Sequence, residues 1–162
     1  MTVRAVAVNV IAGLLGGLLG AGVMSAVHSL VSGGQPDASS AAHGEDATVK
    51  VGDTFSRILR GRPLDEGEKP TAGSVVHYGF GASMGALYGI VSAASPVATV
   101  GRGTGFGAAV WLGAHVIVVP ALGLAPSPLQ QPLRKEGLEL VLHLLFGVTV
   151  DLVRRGALRI AR

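Results

Sequence analysis

Four long apolar stretches alternate with polar connections along this chain of 162 residues. Each stretch can cross a hydrocarbon layer as a helix, which needs roughly 20 apolar residues. Only helices and closed barrels satisfy every backbone polar group in lipid, and no strand-like alternation is present. The pattern therefore predicts an all-α fold: an integral membrane bundle of four transmembrane helices forming a single membrane domain, residues 1–162. The predicted spans are 5–31, 74–97, 104–125 and 136–156.

The connection between spans 1 and 2, residues 34–72, has two parts. Residues 33–46 are rich in Gly, Ser and Ala and are predicted to be flexible. Residues 46–61 predict a short amphipathic helix, because their apolar positions recur at helical spacing. It either packs on the bundle or lies in the headgroup plane, and the second is favoured because no soluble domain is predicted beside it. Its apolar face is formed by Val51, Phe55, Ile58 and Leu59.

The amino-acid composition supports the prediction of an integral membrane protein. Only 14% of the residues are charged, against about 25% in soluble domains, and mean hydropathy is +0.53. The first apolar run is far longer than the ~7–15 apolar residues of a signal peptide, so a retained span is favoured over a cleaved signal. The chain has no cysteine, which excludes disulfides and thiolate chemistry.

The distribution of charge suggests location and partners. A net charge of +3 in so apolar a chain indicates topology signals at membrane edges, so we expect the lipid bilayer as partner and no nucleic acid. Four spans place both termini on one side. A compact basic tail favours the cytoplasmic side of a bacterial inner membrane for that end. The tail contains Arg154, Arg155, Arg159 and Arg162.

Glycines repeat every four residues on two of the predicted spans. Such G-x-x-x-G faces let helices approach closely, either within one chain or between copies in a homo-oligomer. Residues 81–85 also match the G-x-S-x-G motif of serine hydrolases, but that motif needs a strand before its serine. We interpret it as a packing motif and predict no enzyme activity. The predicted packing glycines are Gly13, Gly17, Gly81, Gly85 and Gly89.

Ionisable residues inside the spans are the candidate functional groups, because they are costly in lipid. Each span carries one histidine, and Glu139 lies four residues before the last of them. On an antiparallel bundle they share the half of the membrane that faces the 34–72 and 126–135 connections. The candidate cluster is His28, His77, His115, His143 and Glu139.

Three interpretations of this cluster remain open. Histidine titrates near neutrality, so the cluster would respond to protons or pH. Imidazole and carboxylate also suit a metal or a haem, although no H-x-x-x-H or H-E-x-x-H pair lies on one helix. In the third interpretation, the histidines have no chemical role and serve helix packing or the binding of a partner protein. The proton-responsive interpretation is preferred, so no cofactor is predicted.

Three further expectations concern single positions. Asp151 is expected to form an ion pair with Arg154 and Arg155 near the helix end. Tyr88 is expected at a membrane edge, where amphipathic rings prefer to lie. Pro120 is expected to kink the third span just past its histidine, because proline lacks the N–H that would bond the preceding turn.

The third and fourth spans carry an ordered set of residues that resembles a known family. The set is Gly105-x-Gly107-Ala108, His115, Pro120-x-x-Gly123-Leu124-x-Pro126, Glu139-x-x-x-His143 and Asp151-x-x-Arg154-Arg155, preceded by His77-Tyr78-x-Phe80-Gly81 and Tyr88-Gly89. Over about residues 73–156 the chain is similar to the YagU-like small inner-membrane proteins of bacteria. The resemblance implies a membrane location with cytoplasmic termini, and it implies no catalytic or ligand residues.

Overall fold

The computed structural model describes residues 3–33 and 46–161, and every regular element in those ranges is helical. These described ranges contain five helices: α1 (Val3–Val31), α2 (Ala47–Arg60), α3 (Lys69–Ala94), α4 (residues 104–121) and α5 (Leu133–Ile160). A 3₁₀ segment, Pro96–Gly103, joins α3 to α4, and a 3₁₀ turn, Pro128–Gln130, precedes α5. Most of the segment predicted to be flexible, residues 34–45, lies outside the described residues.

Two segments are long and apolar enough to cross a membrane, Arg4–Val31 and Val97–Ala121. Of their most apolar stretches, 33% and 11% of the residues are buried in the protein, which is unlike the core helix of a soluble domain. The other two predicted spans are helical too. Small and polar residues dilute the hydrophobicity of α3, and α5 carries ionisable groups within its apolar part. Apolar length and composition therefore support two of the four predicted spans.

Glycine contacts bring α1 and α3 close together. A Cβ at Gly13 would overlap the carbonyl oxygen of Gly85, and a Cβ at Gly17 would overlap that of Gly81. A Cβ at Gly89 would overlap the carbonyl oxygen of Asn9. The five glycines of the two predicted faces thus lie opposite each other within one chain.

The opposite side of α1 packs on α5. Gly16 lies against the backbone of Val150, and Gly20 lies against the ring of Phe146. The first turns of α4 approach α5 in the same way, because a Cβ at Gly107 would overlap the carbonyl oxygen of His143. Small residues therefore set the spacing of all three helix pairs.

The helix predicted at 46–61 is α2. Asp46 caps its N-terminus by accepting a hydrogen bond from the backbone N–H of Thr48, at 2.8 Å. The helix packs on the beginning of α3, with Gly52 buried against Ala72. Its outer face is apolar and exposed, with Phe55, Ile58 and Leu59 exposed by 56%, 72% and 78%. Thus α2 contacts the bundle through one face and leaves the apolar face free.

A carboxylate organises the turn between α2 and α3. Glu68 accepts hydrogen bonds from Arg60 (2.7 Å), from the backbone N–H of Asp65 (3.0 Å) and from Arg62 (3.1 Å). The hydrogen bond from Arg60, followed by those from Asp65 and Arg62, lowers the pKa of Glu68 to about 2. The charged form of Glu68 therefore stabilises this turn.

This turn is expected to loosen in acid. Because folding lowers the pKa of Glu68, its stabilising contribution is complete above the ordinary glutamate pKa of 4.5 and is lost as the pH falls towards about 2. Amide hydrogen exchange between Gly61 and Lys69 should therefore accelerate at pH 3 relative to pH 6, after correction for intrinsic exchange. Glu68→Gln should show the fast exchange at both pH values. Equal protection of wild type at the two pH values would contradict the prediction.

Candidate functional site

A cavity of about 700 Å³, open on one side, lies at the end of the bundle where α1 and α4 end and α3 and α5 begin. Four helices each contribute a histidine to its wall. This matches the shared depth expected from the sequence. The lining includes all five candidate residues and two further carboxylates, namely His28, His77, His115, His143, Glu139, Glu136 and Asp46.

A side-chain contact in the wall of this cavity joins α4 to α5. His115 Nε2 lies 3.0 Å from Glu136 Oε2, and this carboxylate is only 11% exposed. The ring of His115 lies 6.0 Å from that of His143 and is stacked at 6.4 Å on Trp111. His115 therefore contacts an acid, a second imidazole and an indole.

Hydrogen bonds to main-chain carbonyl oxygens fix the tautomers of His143 and His77. His143 Nδ1 lies 2.7 Å from the carbonyl oxygen of Glu139, and His77 Nε2 lies 3.3 Å from that of Ala21. A carbonyl oxygen only accepts, so each of these ring nitrogens donates. In the neutral rings, His143 Nε2 and His77 Nδ1 remain as acceptors. His143 thus bonds the main chain of Glu139, and the carboxylate in contact with His115 is that of Glu136.

The helix around His115 contains a π-helical segment. It is α-helical over Thr104–Val110, π-helical over Trp111–Val118 and α-helical again over Val119–Ala121. The N–H of Val119 bonds the carbonyl of Ala114, five residues back. Pro120 has no N–H to continue the α-helical pattern, and the wider turn lies before it. His115 is thus in an irregular segment, as side chains at functional sites often are.

Within residues 3–33 and 46–161, no three His, Asp or Glu side chains form a group that could hold a metal ion. The imidazoles of His77 and His143 also use one nitrogen each on carbonyl oxygens. The geometry thus gives no support to the metal alternative.

A second polar cluster lies at the opposite end of the bundle. Asp151 is fully buried on α5, and its Oδ1 accepts a hydrogen bond from the hydroxyl of Tyr88 at 2.7 Å. Its Oδ2 accepts from Arg155 Nε at 2.6 Å, and Arg154 lies 3.9 Å away. Arg154 in turn donates to the side chain of Asn9 on α1, at 2.8 Å. The expected ion pair is therefore one part of a network that joins α1, α3 and α5.

Sequence reasoning expected Tyr88 near a helix end as an interfacial ring and missed Asn9. Tyr88 is 0% exposed and packs inside the bundle, because its hydroxyl has a buried carboxylate as partner. Asn9 is 7% exposed and is an isolated amide in the apolar α1. A lone polar residue in an apolar helix indicates a buried hydrogen bond. The sequence could not identify the partner of Asn9, because Arg154 lies 145 positions away.

The G-x-S-x-G residues serve packing. Ser83 is exposed on α3 and donates to the carbonyl of Gly79, one turn earlier, at 2.8 Å. Gly81 and Gly85 face α1. The strand and sharp turn that a nucleophile elbow requires are not present at this helical position.

Comparison with known proteins gives a family without an assigned activity. A model described as protein of unknown function (DUF1440) matches residues 63–152, which include α3, α4 and the Glu136, Glu139, His143 and Asp151 positions of α5. No curated protein and no solved structure matches the chain. Since the match covers more than half of the sequence, the chain belongs to the DUF1440 family of proteins of unknown function.

Proposed function

We propose that this protein is a non-enzymatic, four-span protein of the bacterial inner membrane, of the YagU-like type, whose histidine-lined cavity responds to protons. The observation that carries the proposal is the convergence of four histidines from four helices on one cavity. In this proposal α3 and α5 span the bilayer beside the two more apolar segments, and both termini are cytoplasmic. The exposed apolar face of α2 lies in the headgroup layer, where apolar and polar surfaces are both accommodated.

Protonation would act on the contact between α4 and α5. A positive charge on His115 strengthens its attraction to Glu136 and opposes a positive charge on His143, whose ring is 6.0 Å away. The π-helical turn gives α4 an irregular segment that can adjust to this change. Acid would therefore draw His115 towards Glu136 and away from His143.

The charges around His115 come from every helix that borders the cavity. The carboxylates of α5 oppose the imidazoles of α1, α3 and α5, and an α5 lysine and the cap of α2 also line the space. Proton uptake by this set lowers its net negative charge and changes the repulsion between its members. The groups are Glu136, Glu139, Lys135, His28, His77, His143 and Asp46.

Trp111 provides a direct test, because it is the single tryptophan of the chain and stacks on His115. Protonated imidazole quenches indole fluorescence. In lipid nanodiscs we expect the emission to be lower at pH 5 than at pH 7.5. His115→Gln should abolish this titration.

His28→Gln is the matched control, since it removes a cavity histidine that does not stack on the indole; it should retain the titration. The conformational part of the proposal is measured by hydrogen exchange of α4 at pH 7.5 and 5. Wild type should differ between the two pH values, and the His115→Gln, His143→Gln double variant should not. A titration that persists in His115→Gln, or a double variant with unchanged pH dependence, would leave the histidines with a packing role.

A further inference from the structure

The cavity is large enough for a small organic ligand. Its volume of about 700 Å³ lies within the range of pockets that bind small molecules and far exceeds the space of a single water. Its wall is largely apolar away from the ionisable groups, and it opens on one side. The apolar lining includes Met24, Val110, Leu142 and Phe146.

The polar part of the wall is acidic on balance, because the carboxylates of Asp46, Glu136 and Glu139 line it together with one lysine, Lys135. Glu136 and Glu139 contribute carboxylates from successive turns of α5. The side-chain oxygen of Gln131 is buried in the same wall and has no hydrogen-bond partner among the described residues. His143 uses its Nδ1–H on a carbonyl oxygen, so its second nitrogen remains an acceptor. A ligand that brings N–H donors and positive charge matches this wall.

We propose that the cavity binds a primary alkylammonium group, with the ammonium at Glu139 and Gln131 and the alkyl chain against Met24 and Phe146. The inference uses the cavity of the proposed function but does not depend on its proton response. An anion would face three carboxylates and one lysine. A neutral alkane would desolvate the same acceptors and give them no hydrogen bond, which is costly. An ammonium group carries a positive charge, so the carboxylates attract it. Its N–H groups also give the buried acceptors the hydrogen bonds that an alkane cannot supply.

The test compares n-hexylammonium with 1-hexanol, which has the same chain and no charge. Protein in phosphatidylcholine nanodiscs at pH 8 is titrated calorimetrically with each, and the heats from empty nanodiscs are subtracted. We expect the amine to bind at least tenfold more tightly than the alcohol. Equal affinities would overturn the proposal, because the binding would then be apolar only.

Variants locate the ammonium group. Glu139→Gln keeps the shape of the side chain and removes its charge, so amine binding should weaken about tenfold while hexanol binding is unchanged. Glu66→Gln, a loop carboxylate whose side chain is 90% exposed, is the matched control and should bind as wild type. Should Glu139→Gln lose helicity by circular dichroism, Gln131→Leu takes its place, and it should weaken amine binding several-fold. Unaltered amine affinity in a folded Glu139→Gln or Gln131→Leu protein would overturn the proposal.

The same chemistry has two sources, a free amphiphilic amine or the ammonium headgroup of a bilayer lipid. Adding phosphatidylethanolamine to the nanodiscs distinguishes them: tenfold weaker hexylammonium binding indicates the lipid, and unchanged binding indicates a free amine. Both results support an alkylammonium site. Amine selectivity that persists while Trp111 fluorescence does not titrate would overturn the proton response alone. A Trp111 titration without amine selectivity would overturn only the assignment of the ligand.

Discussion

Replacing Asp151 by asparagine should lower the free energy of unfolding by about 3 kcal/mol, because breaking a buried ion pair leaves an uncompensated charge. Asp151 is fully buried and joins the Tyr88 hydroxyl on α3 to Arg155 on α5. Asparagine keeps the size of the side chain and removes its charge. Arg154, which is only 8% exposed, would then retain Asn9 and the carbonyl of Ser92 as partners, without the carboxylate with which it pairs among the described residues.

The measurement is equilibrium unfolding in mixed detergent micelles, followed by helical circular dichroism. Asp65→Asn is the matched control, since that carboxylate is 75% exposed and pairs with Arg62 in the loop. Exposed pairs contribute up to about 1 kcal/mol, so the control should remain close to wild type. Tyr88→Phe removes only the hydroxyl and should cost about 1 kcal/mol, as expected for one hydrogen bond. An Asp151→Asn protein as stable as Asp65→Asn would mean that the network does not hold the helices together.

The helices could be predicted from sequence, because each rests on local apolar patterning. The predicted span 104–125 contains α4, and the amphipathic period at 46–61 gave α2 almost to the residue. The beginning of α3 was placed late, at 74, because Lys69 and Pro70 look like a loop. Proline is well accommodated in the first turn of a helix, where its missing N–H has no intrahelical partner.

For both polar clusters, the sequence predicts how deep each side chain lies but not which side chains pair. Depth along each helix follows from counting residues, so the placement of the four histidines in one half of the bundle could be predicted, whereas their convergence could not. Pairing depends on how each helix is rotated against its neighbours, which one sequence does not contain. The choice of Glu136 rather than Glu139 as the partner of His115, and of Tyr88 as the partner of Asp151, therefore needed the structure.

The glycine contact of α1 with α3 gives the second large expected effect. Gly85→Ala should destabilise the protein by about 2 kcal/mol, as overpacking of a close contact does. The new Cβ would overlap the carbonyl oxygen of Gly13 and lie 2.8 Å from the backbone nitrogen of Gly17. Backbone atoms cannot rotate away as a side chain can, so the two helices would have to separate along the whole contact.

Gly79→Ala is a demanding control, because Gly79 lies on the same helix and a Cβ there meets no atom within 4 Å. Alanine favours a helix over glycine by up to about 1 kcal/mol, so Gly79→Ala should be neutral or slightly stabilising. Both variants replace glycine by alanine, so a loss of stability in Gly85→Ala with none in Gly79→Ala reports on packing rather than on helix propensity. The same unfolding assay measures both variants. If Gly85→Ala were as stable as Gly79→Ala, the close approach of α1 and α3 through their glycines would be wrong.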